Sequence, residues 1–492
     1  MVNKIAVIGS GFSGLSTACY LSKQGYSVEV FEKNSTAGGR CRIHKAEGFT
    51  FDIGPSWYWM PDVFEDFFTD FDNDVSDFYK LKRLDPSYRV YFDKEDFIDL
   101  PSSLNELSEL FESIESGASE KLHTFLKDAE IKYEVGMKKL VHKPGKSIME
   151  FWDMDVIKNV GKIQILKPFS KYIRKYFKNE KLIKILEFPV LFLGAKPSKT
   201  PALYSLMNYA DLKLGTWYPE GGMYKIIEAM VSQAESLGAQ FHYNSPITKI
   251  SKTENNKPVL TVNGIEKEFD FIVGSADYHH IEQDLLEAKF RNYNEAYWSK
   301  KTMAPSSLIF YLGVNKKLNN LEHHNLFFDE DFESHASEIY DSPKWPEKPL
   351  FYVAAPSKSD DTIAPEGMEN LFILIPVAPG LKDDELTREK YYQMVIKRLE
   401  KITGESVIEH VIYKKSYAHN DFIEDYNAYK GNAYGLANTL RQTSIFRPSI
   451  QNKKIKSLYY AGQLTVPGPG IPPAIISGKI VANEIHKAAQ KL

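Results

Sequence analysis

Cysteine is nearly absent from this chain of 492 residues, which contains only Cys19 and Cys41. Two cysteines are too few for a disulfide framework, and their scarcity fits a reducing compartment. The sequence also has no CxxC and no HExxH pattern. It therefore predicts no metal site.

Long apolar runs and a large charge excess are absent as well. No apolar run approaches the roughly 20 residues that a membrane-spanning helix needs. The N-terminus moves almost directly into a short apolar strand, with no pattern of a signal peptide. The formal net charge of -4 argues against a nucleic-acid partner held by a global basic field. We expect a cytoplasmic protein that, if it works on lipid, touches the membrane without crossing it.

A glycine-rich turn follows the first strand. The sequence GSGFSG at residues 9–14 comes after KIAVIG and opens a helix, and Glu32 ends the next strand. Glycines permit a tight turn, close approach of a pyrophosphate and packing of helix on strand. The helix N-terminus offers N–H groups to a diphosphate. Glu32 would accept hydrogen bonds from the adenosine ribose and disfavours a 2′-phosphate, so this turn predicts a dinucleotide site that does not take NADP.

A second glycine pair distinguishes FAD from NAD, since both bind this fold. Gly38-Gly39-Arg40 follows Glu32 closely, and FTFDIGPSWYWMPDVF occupies residues 49–64. These segments resemble the FAD enzymes of the amine-oxidase and carotene-desaturase superfamily, in which a GGR sequence runs along the diphosphate. The resemblance implies that Arg40 meets phosphate charge or lies near the flavin ring.

Two later segments resemble the same superfamily. TWYPEGGM at residues 216–223 is similar to a segment that borders the flavin, and Ser245-Pro246-Ile247 ends a strand where relatives contact the adenine. Residues 458–485 give a strand, a Pro/Gly turn and a helix with proline at its first positions. By the resemblance, the dipole of this helix stabilises negative charge on the reduced flavin. Gln463 departs from the pattern, because many relatives place an acid there.

Together these regions are similar to the bacterial phytoene-desaturase type of carotenoid enzyme. The resemblance implies an oxidoreductase acting on CH–CH bonds with non-covalent FAD. The predicted cofactor-binding residues are Gly9, Gly11, Phe12, Ser13, Gly14, Glu32, Lys33, Gly39, Arg40, Gly54, Pro55, Ser56, Ile247, Gly462, Gly470, Ile471 and Pro472.

The nucleotide-binding pattern occurs at the start, middle and end of the chain. We therefore predict an α/β fold whose Rossmann-type FAD-binding domain is discontinuous and comprises residues 1–100, 214–290 and 440–492. Residues 101–213 are predicted to form a mainly helical substrate and membrane-contacting region. Residues 291–439 are predicted to supply the sheet and helices of an inserted α+β substrate domain.

The resemblance implies a long polyene substrate, phytoene or a later acyclic or monocyclic carotene, in carotenoid biosynthesis. Such a hydrocarbon has no hydrogen-bonding group, so an apolar channel must recognise it. Ordinary core packing is the alternative role for each aromatic residue near the flavin motifs. The residues predicted to line the channel are Trp57, Tyr58, Trp59, Trp217 and Tyr218.

Residues 158–184 carry nine lysines and arginines against one acid, Glu180, interleaved with apolar residues. A basic amphipathic segment of this kind is typical of a membrane surface, and a solvated helix face is the alternative. Carotenes reside in the bilayer, so we predict peripheral association with the membrane.

The expected chemistry is hydride transfer from an allylic carbon to the flavin, followed by loss of a neighbouring proton. Candidate bases are Asp52, Asp211 and Glu220, among which the sequence does not select. The pairs His279-His280 and His323-His324 are expected at the surface or in turns. The sequence does not select the final electron acceptor among oxygen, a quinone and a protein carrier.

Two kinds of alternative function remain at this point. One is another flavoenzyme of the superfamily: a carotenoid or retinoid saturase or isomerase, an amine oxidase or a protoporphyrinogen oxidase. The other is a non-catalytic prenyl-binding chaperone similar to the Rab GDP-dissociation inhibitors. The complete glycine fingerprint with Glu32 and GGR favours a bound flavin over the chaperone.

Overall fold

Runs of β-branched and aromatic residues form the strands of this protein. A computed structural model describes residues 3–151, 167–191, 194–439 and 441–491. The strands of these residues are β1 (Lys4–Ile8), β2 (Ser27–Phe31), β3 (Arg42–Ala46), β4 (Phe49–Ile53), β5 (Leu81–Arg83), β6 (Tyr88–Asp93), β7 (Asp96–Leu100), β8 (Trp217–Pro219), β9 (Gln240–His242), β10 (Ile247–Lys252), β11 (Pro258–Val262), β12 (Ile265–Glu268), β13 (Phe271–Gly274), β14 (Ser306–Val314), β15 (His324–Phe327), β16 (Phe351–Ala354), β17 (Glu369–Val377), β18 (Val411–Tyr417) and β19 (Leu458–Tyr460).

Helices cover the strands and fill much of the chain between them. The α-helices of the described residues are α1 (Phe12–Lys23), α2 (Pro61–Thr69), α3 (Leu104–Ile114), α4 (Ala118–Lys138), α5 (Phe169–Ile173), α6 (Glu180–Leu191), α7 (Leu206–Tyr209), α8 (Tyr224–Ser236), α9 (Tyr278–His280), α10 (Glu295–Ser299), α11 (Phe332–Tyr340), α12 (Glu385–Thr403), α13 (His419–Tyr426) and α14 (Ile471–Ala489).

A parallel sheet joins strands from the beginning, middle and end of the chain. Its order is β19-β13-β1-β2-β9, with all neighbours parallel. Parallel sheets need helices on both faces, and β1 and β13 are accordingly buried apolar runs. Helices α1 and α14 pack against each other beside this sheet. The arrangement is the discontinuous α/β fold that the sequence predicts.

A second sheet has seven strands in the order β18-β14-β17-β16-β15-β6-β7. All its neighbours are antiparallel except β15 and β6. Strands β14 and β17 are buried along nearly their whole length, and α12 contributes to the core cluster on one side. Strands β6 and β7 belong to this sheet, although the sequence analysis assigned residues 1–100 to the cofactor-binding domain.

Residues 104–191 are mainly helical where they are described. The part of the basic segment at residues 158–166 lies outside the described residues. In the part that is described, Phe169, Tyr172, Ile173 and Phe177 are buried. The lysines on α5 and after it face solvent. No helix among the described residues is long and apolar enough to cross a bilayer.

Candidate cofactor cleft and its surroundings

A cleft of about 300 Å³ lies at the carboxyl ends of β1, β2 and β13. In open α/β sheets, ligands bind at this edge. Most of the residues predicted to hold the cofactor line the cleft. They are Gly9, Gly11, Phe12, Ser13, Glu32, Lys33, Gly39, Arg40, Gly54, Pro55, Ile247, Gly462, Gly470 and Ile471.

Gly14, Ser56 and Pro472 were predicted to bind the cofactor but do not line the cleft. A Cβ on Gly14 would lie 2.0 Å from the carbonyl oxygen of Gly9, so Gly14 lets α1 pack on the turn. The Ser56 hydroxyl accepts a hydrogen bond from Tyr352 at 3.0 Å. Pro472 stands in the first turn of α14. Their part in binding a cofactor stays a prediction.

Gly11 shows that the turn has room for a ligand. Its backbone angles are φ −75° and ψ 178°, which any residue can adopt. A Cβ there would have no protein atom closer than the Cα of Gly39, at 3.8 Å. Neither backbone strain nor packing explains this glycine, whereas a diphosphate held close to the backbone does. The local structure therefore fits the dinucleotide that the sequence predicts.

Glu32 is buried, with 5% of its surface exposed, and lines the cleft. One carboxylate oxygen accepts from the backbone N–H and hydroxyl of Ser10, at 3.0 and 2.8 Å. The other accepts from the backbone N–H and side-chain amide of Asn34, at 2.9 and 3.0 Å. Four donors account for the acceptor capacity of a carboxylate. A ribose hydroxyl would therefore replace one of them.

Arg40 places a positive charge in the cleft. Its Nη2 donates a long hydrogen bond of 3.4 Å to the carbonyl of Asn432 and, with the Gln463 amide turned so that its oxygen accepts, one of 3.2 Å to that oxygen. Its Nε has no partner among the described residues. Burial lowers the pKa of its guanidinium. Unused donors on a buried cation fit an anionic ligand such as a diphosphate or reduced flavin.

The C-terminal turn brings a helix N-terminus to the same cleft. Gly470 precedes α14 with φ +111°, in the backbone region that favours glycine. Gly470, Ile471 and Ala474 all line the cleft. The first N–H groups of a helix have no intrahelical partner, and the dipole there favours negative charge.

The opposite wall of the cleft was not found by sequence analysis. It comes from the second sheet and from α13. An ion pair between Arg42 on β3 and Asp425 on α13 holds this helix against the strand that follows Gly38-Gly39-Arg40. The residues that sequence analysis missed are Ser307, Ile309, Tyr311, Leu374, Tyr417, Phe422, Asp425, Tyr426, Asn427 and Tyr434.

Comparison with known proteins agrees with this cleft. A model of the family described as flavin containing amine oxidoreductase matches residues 12–486. This chain belongs to that family. It is therefore an oxidoreductase, and its cofactor is FAD.

The chain resembles two curated members over nearly its whole length. It is 40% identical to the carotenoid 3,4-desaturase of Haloarcula japonica, over 98% of this chain and 97% of the relative. It is 32% identical to the 4,4'-diapophytoene desaturase (4,4'-diaponeurosporene-forming) of Staphylococcus aureus, over 99% of each chain.

Solved structures show the same fold. An oxidoreductase from Methanosarcina mazei has a TM-score of 0.64 at 18% identity, covering 98% of this chain and all of the other. A redesigned double mutant of putrescine oxidase has a TM-score of 0.64 at 14% identity, covering 99% of both chains. At such identities the likeness shows the fold alone.

The three acids proposed as bases for this flavin oxidoreductase do not line the cleft. Asp52 accepts from the backbone N–H groups of Met223 and Tyr224, at 2.7 and 3.1 Å, and so binds the start of α8. Burial raises the pKa of Asp52 to about 6. Glu220 is exposed to solvent.

Asp211 is 2% exposed and accepts a hydrogen bond from the hydroxyl of Tyr88 at 2.8 Å. Burial raises its pKa to about 7, because the apolar surroundings disfavour the charged form. This environment resembles that of a catalytic acid, but Asp211 accepts from the Tyr88 hydroxyl and does not line the cleft. Spacing along the sequence could not distinguish a catalytic carboxyl at the cleft from a buried structural one.

The five aromatics predicted to line a substrate channel form a packed cluster and do not appear in the wall of the cleft. Trp57 stacks on His324, with ring centroids 4.0 Å apart, and contacts Tyr88 at 5.5 Å. Trp59 donates to the Thr216 hydroxyl at 2.8 Å. The further bonds of the set run from Tyr58 to Tyr79, from Trp217 to Leu214 and from Tyr218 to Asp360. Their role in a channel stays a prediction.

The expected surface position of His323 and His324 is wrong. Both are buried, with 4% and 0% of their surfaces exposed. His324 Nδ1 lies 2.6 Å from the hydroxyl of Tyr352, and burial lowers the pKa of both imidazoles. His324 begins strand β15 and His323 immediately precedes it. The central position of β15 between β16 and β6 explains the burial. His279 and His280 are half-buried, and His280 lines the cleft.

Proposed function

We propose that this protein is an FAD-dependent carotenoid desaturase that introduces double bonds into a long polyene, phytoene or a later acyclic or monocyclic carotene. The observation that carries the proposal is the similarity to two desaturases over 97% or more of every chain compared. Their names give different carotenoid substrates or positions. The similarity therefore supports the shared chemistry more strongly than any one carotene.

The residues of the cleft fit the parts of FAD in order along the chain. Gly9, Gly11 and Ser13 would hold the diphosphate at the start of α1, and Glu32 would bind the adenosine ribose. Arg40 would offset phosphate or flavin charge through its unused donors. In the same proposal, the backbone of Ile247 contacts the adenine, and α14 faces the pyrimidine edge of the flavin.

The wall formed by the second sheet fits a hydrocarbon. Ile309 and Leu374 are buried core residues that also line the cleft. Apolar walls of this kind exclude water and bind a polyene by burial of its surface. When bound, FAD supplies the acceptor for a hydride from an allylic carbon of the polyene. Loss of a proton from the neighbouring carbon then completes the double bond.

In this proposal the two buried acids, Asp52 and Asp211, have structural roles. Asp52 uses both carboxylate oxygens on the start of α8, and Asp211 is bonded to Tyr88. Since neither lines the cleft, we propose that they position the elements around the substrate. A weak acceptor is sufficient for a proton that leaves a delocalised cation.

The source of the substrate and the fate of the electrons complete the proposal. Carotenes dissolve in bilayers, so the protein would work as a peripheral protein at the cytoplasmic membrane surface. Reduced flavin would pass its electrons to oxygen or to a quinone.

The test is to incubate purified, flavin-loaded protein with a panel of carotenes in liposomes, with oxygen or a quinone supplied separately. We expect chromatography to reveal products with additional conjugated double bonds, and the flavin to bleach when substrate is added without an acceptor. A protein that instead oxidises an amine or protoporphyrinogen, and leaves every carotene unchanged, would contradict the proposal.

A further inference from the structure

We propose that two neighbouring loop tips, carrying Met149 and Phe446, form a docking surface for a bilayer of anionic phospholipids. The proposal rests on the proposed function, because a bilayer is where a carotene substrate would be found. It assigns membrane contact to described residues outside the basic segment at 158–184. We call these two tips with their basic neighbours the docking rim.

Both side chains of the docking rim are strongly exposed. Met149 is 73% exposed and Phe446 is 57% exposed. Single exposed apolar residues are common on soluble proteins. What distinguishes these two is their placement on adjoining loops, the charge around them and their position beside the cleft.

Hydrogen bonds fix the turn that precedes Met149. The carboxylate of Glu150 accepts hydrogen bonds from the backbone N–H groups of Gly145, Lys146 and Ser147, at 2.8, 2.8 and 3.1 Å. These bonds give the backbone N–H groups of the turn a partner within the loop, and the Met149 side chain points to solvent. An apolar side chain on a preformed tip inserts into a lipid interface with little ordering cost.

The two loops meet. A Cβ on Gly145 would lie 3.5 Å from the carbonyl oxygen of Ser444 and 3.0 Å from a methyl group of Val466. Ser444 begins the single helical turn that ends at Phe446. Thr465, beside Val466, lines the cleft. The docking rim therefore contacts the loop whose Thr465 lines the cofactor cleft.

The charge around the rim suits an anionic membrane. Residues 138–147 read KKLVHKPGKS, with four lysines and no acid. Glu150 follows, with its carboxylate held by three backbone N–H groups, and Asp153 and Asp155 come next in the sequence. Arg441 is exposed on the other loop. Within the described parts of the chain, Lys143 and Arg441 make no ion pair, whereas Lys138 and Lys146 pair with Glu134 and Glu484. Basic groups beside an apolar tip are attracted to anionic headgroups.

The described part of the basic segment at 158–184 differs from the docking rim because its apolar side chains are buried. Its apolar residues, including Phe169 and Phe177, are packed in the core and could not insert without unfolding α5. Its exposed lysines can add attraction but no apolar anchor. Another exposed residue, Leu386, is 85% exposed but follows Asp383, Asp384 and Glu385, so an anionic bilayer would repel its surroundings.

This contrast supplies a matched experiment. Flavin-loaded protein is floated with vesicles of phosphatidylcholine alone or mixed with phosphatidylglycerol. We compare the parent, the double variant Met149→Asp with Phe446→Asp, and the control Leu386→Asp. The parent should partition preferentially to the vesicles containing phosphatidylglycerol. The double variant should lose about tenfold or more in partitioning, and the control should remain near the parent.

Flavin content and turnover on carotene dispersed in detergent micelles show whether each variant is folded. A second double variant, Met149→Leu with Phe446→Trp, should retain vesicle binding because it keeps both apolar anchors. Parent-like flotation of the aspartate double variant, or an equal loss in Leu386→Asp, would overturn the docking rim. A parent that desaturates carotene in micelles yet binds no vesicle would also overturn it, while leaving the proposed function intact. Vesicle binding by a protein that desaturates no carotene would support the docking rim and contradict the proposed function.

Discussion

The guanidinium carbon of Arg40 lies 5.2 Å from the centroid of the Tyr426 ring. Tyr426 ends α13, so a helix far along the chain contacts the cation of the GGR motif. The same ring lies 5.3 Å from the guanidinium of Arg42, which also pairs with Asp425. One aromatic side chain thus joins α13 to both Arg40 and Arg42.

This contact predicts that Tyr426 positions Arg40 for FAD. Tyr426→Ala should weaken FAD binding by about 1 kcal/mol, or roughly fivefold, through loss of the cation–π contact. Tyr426→Phe keeps the ring and should bind FAD nearly as well as the parent. Flavin fluorescence during reconstitution of the apoprotein measures both affinities. Equal affinities for the two variants would contradict a role for the ring.

The two glycines of the first turn should fail in different ways. Gly11→Val should fold but lose flavin, because its side chain would occupy open space at the predicted diphosphate position. Gly14→Ala should destabilise the protein by about 1–3 kcal/mol, because its Cβ would meet the Gly9 carbonyl at 2.0 Å.

Absorbance of bound flavin and urea unfolding of the two apoproteins separate these effects. For Gly11→Val, flavin absorbance should be missing while the unfolding midpoint stays near that of the parent apoprotein. For Gly14→Ala, the midpoint itself should fall. A flavin-replete Gly11→Val protein would show that this turn does not hold the cofactor.

These cases show what the sequence could and could not predict. The turn at Gly9, the acid Glu32 and the final helix are local patterns, so spacing along the chain was enough to place them. Tyr426 reaches the cleft only because the second sheet and α13 fold over it, and no local pattern in residues 419–426 records that. Asp52 stands in a flavin-type motif, yet its carboxylate binds the start of α8. A motif therefore located the cleft but did not assign individual side chains to chemistry.

Asp211 predicts a particular dependence of stability on pH. Its folded pKa of about 7 exceeds the ordinary value of 3.8, so the folded protein holds this proton more tightly than the unfolded chain. Its contribution therefore lowers stability as pH rises between about 4 and 7. Asp211→Asn should remove that loss and be more stable than the parent above pH 7, by on the order of a few kcal/mol.

The difference between Asp211→Asn and the parent should shrink as the pH falls toward about 4, where the parent carboxyl is also neutral. Urea unfolding across this range measures it. Turnover should be largely retained, because Asp211 does not line the cleft. A variant of normal stability that has lost desaturation would instead identify Asp211 as the base.

The turn before α14 predicts an effect on flavin reduction that is separable from flavin binding. Gly470 has φ +111°, and a Cβ there would lie 3.2 Å from Cδ of Pro473. Gly470→Val should therefore shift the turn and move the helix N-terminus away from the cleft. We expect near-normal flavin content but bleaching of oxidised flavin by carotene that is slowed about tenfold, equivalent to about 1.4 kcal/mol. The potential of the bound flavin should fall, because negative charge on its reduced form is less well stabilised.

Gly404 provides the matched control for this change. It follows α12 with φ +72°, and a Cβ there would meet no atom within 4 Å. Gly404→Val imposes backbone strain of the same kind at a position that does not line the cleft. It should lower thermal stability without changing the bleaching rate or the flavin potential. Stopped-flow absorbance measures the bleaching rate of each variant, and a redox titration measures its flavin potential. If Gly470→Val bleaches at the parent rate, the turn serves only the fold, and the flavin ring does not lie at the start of α14.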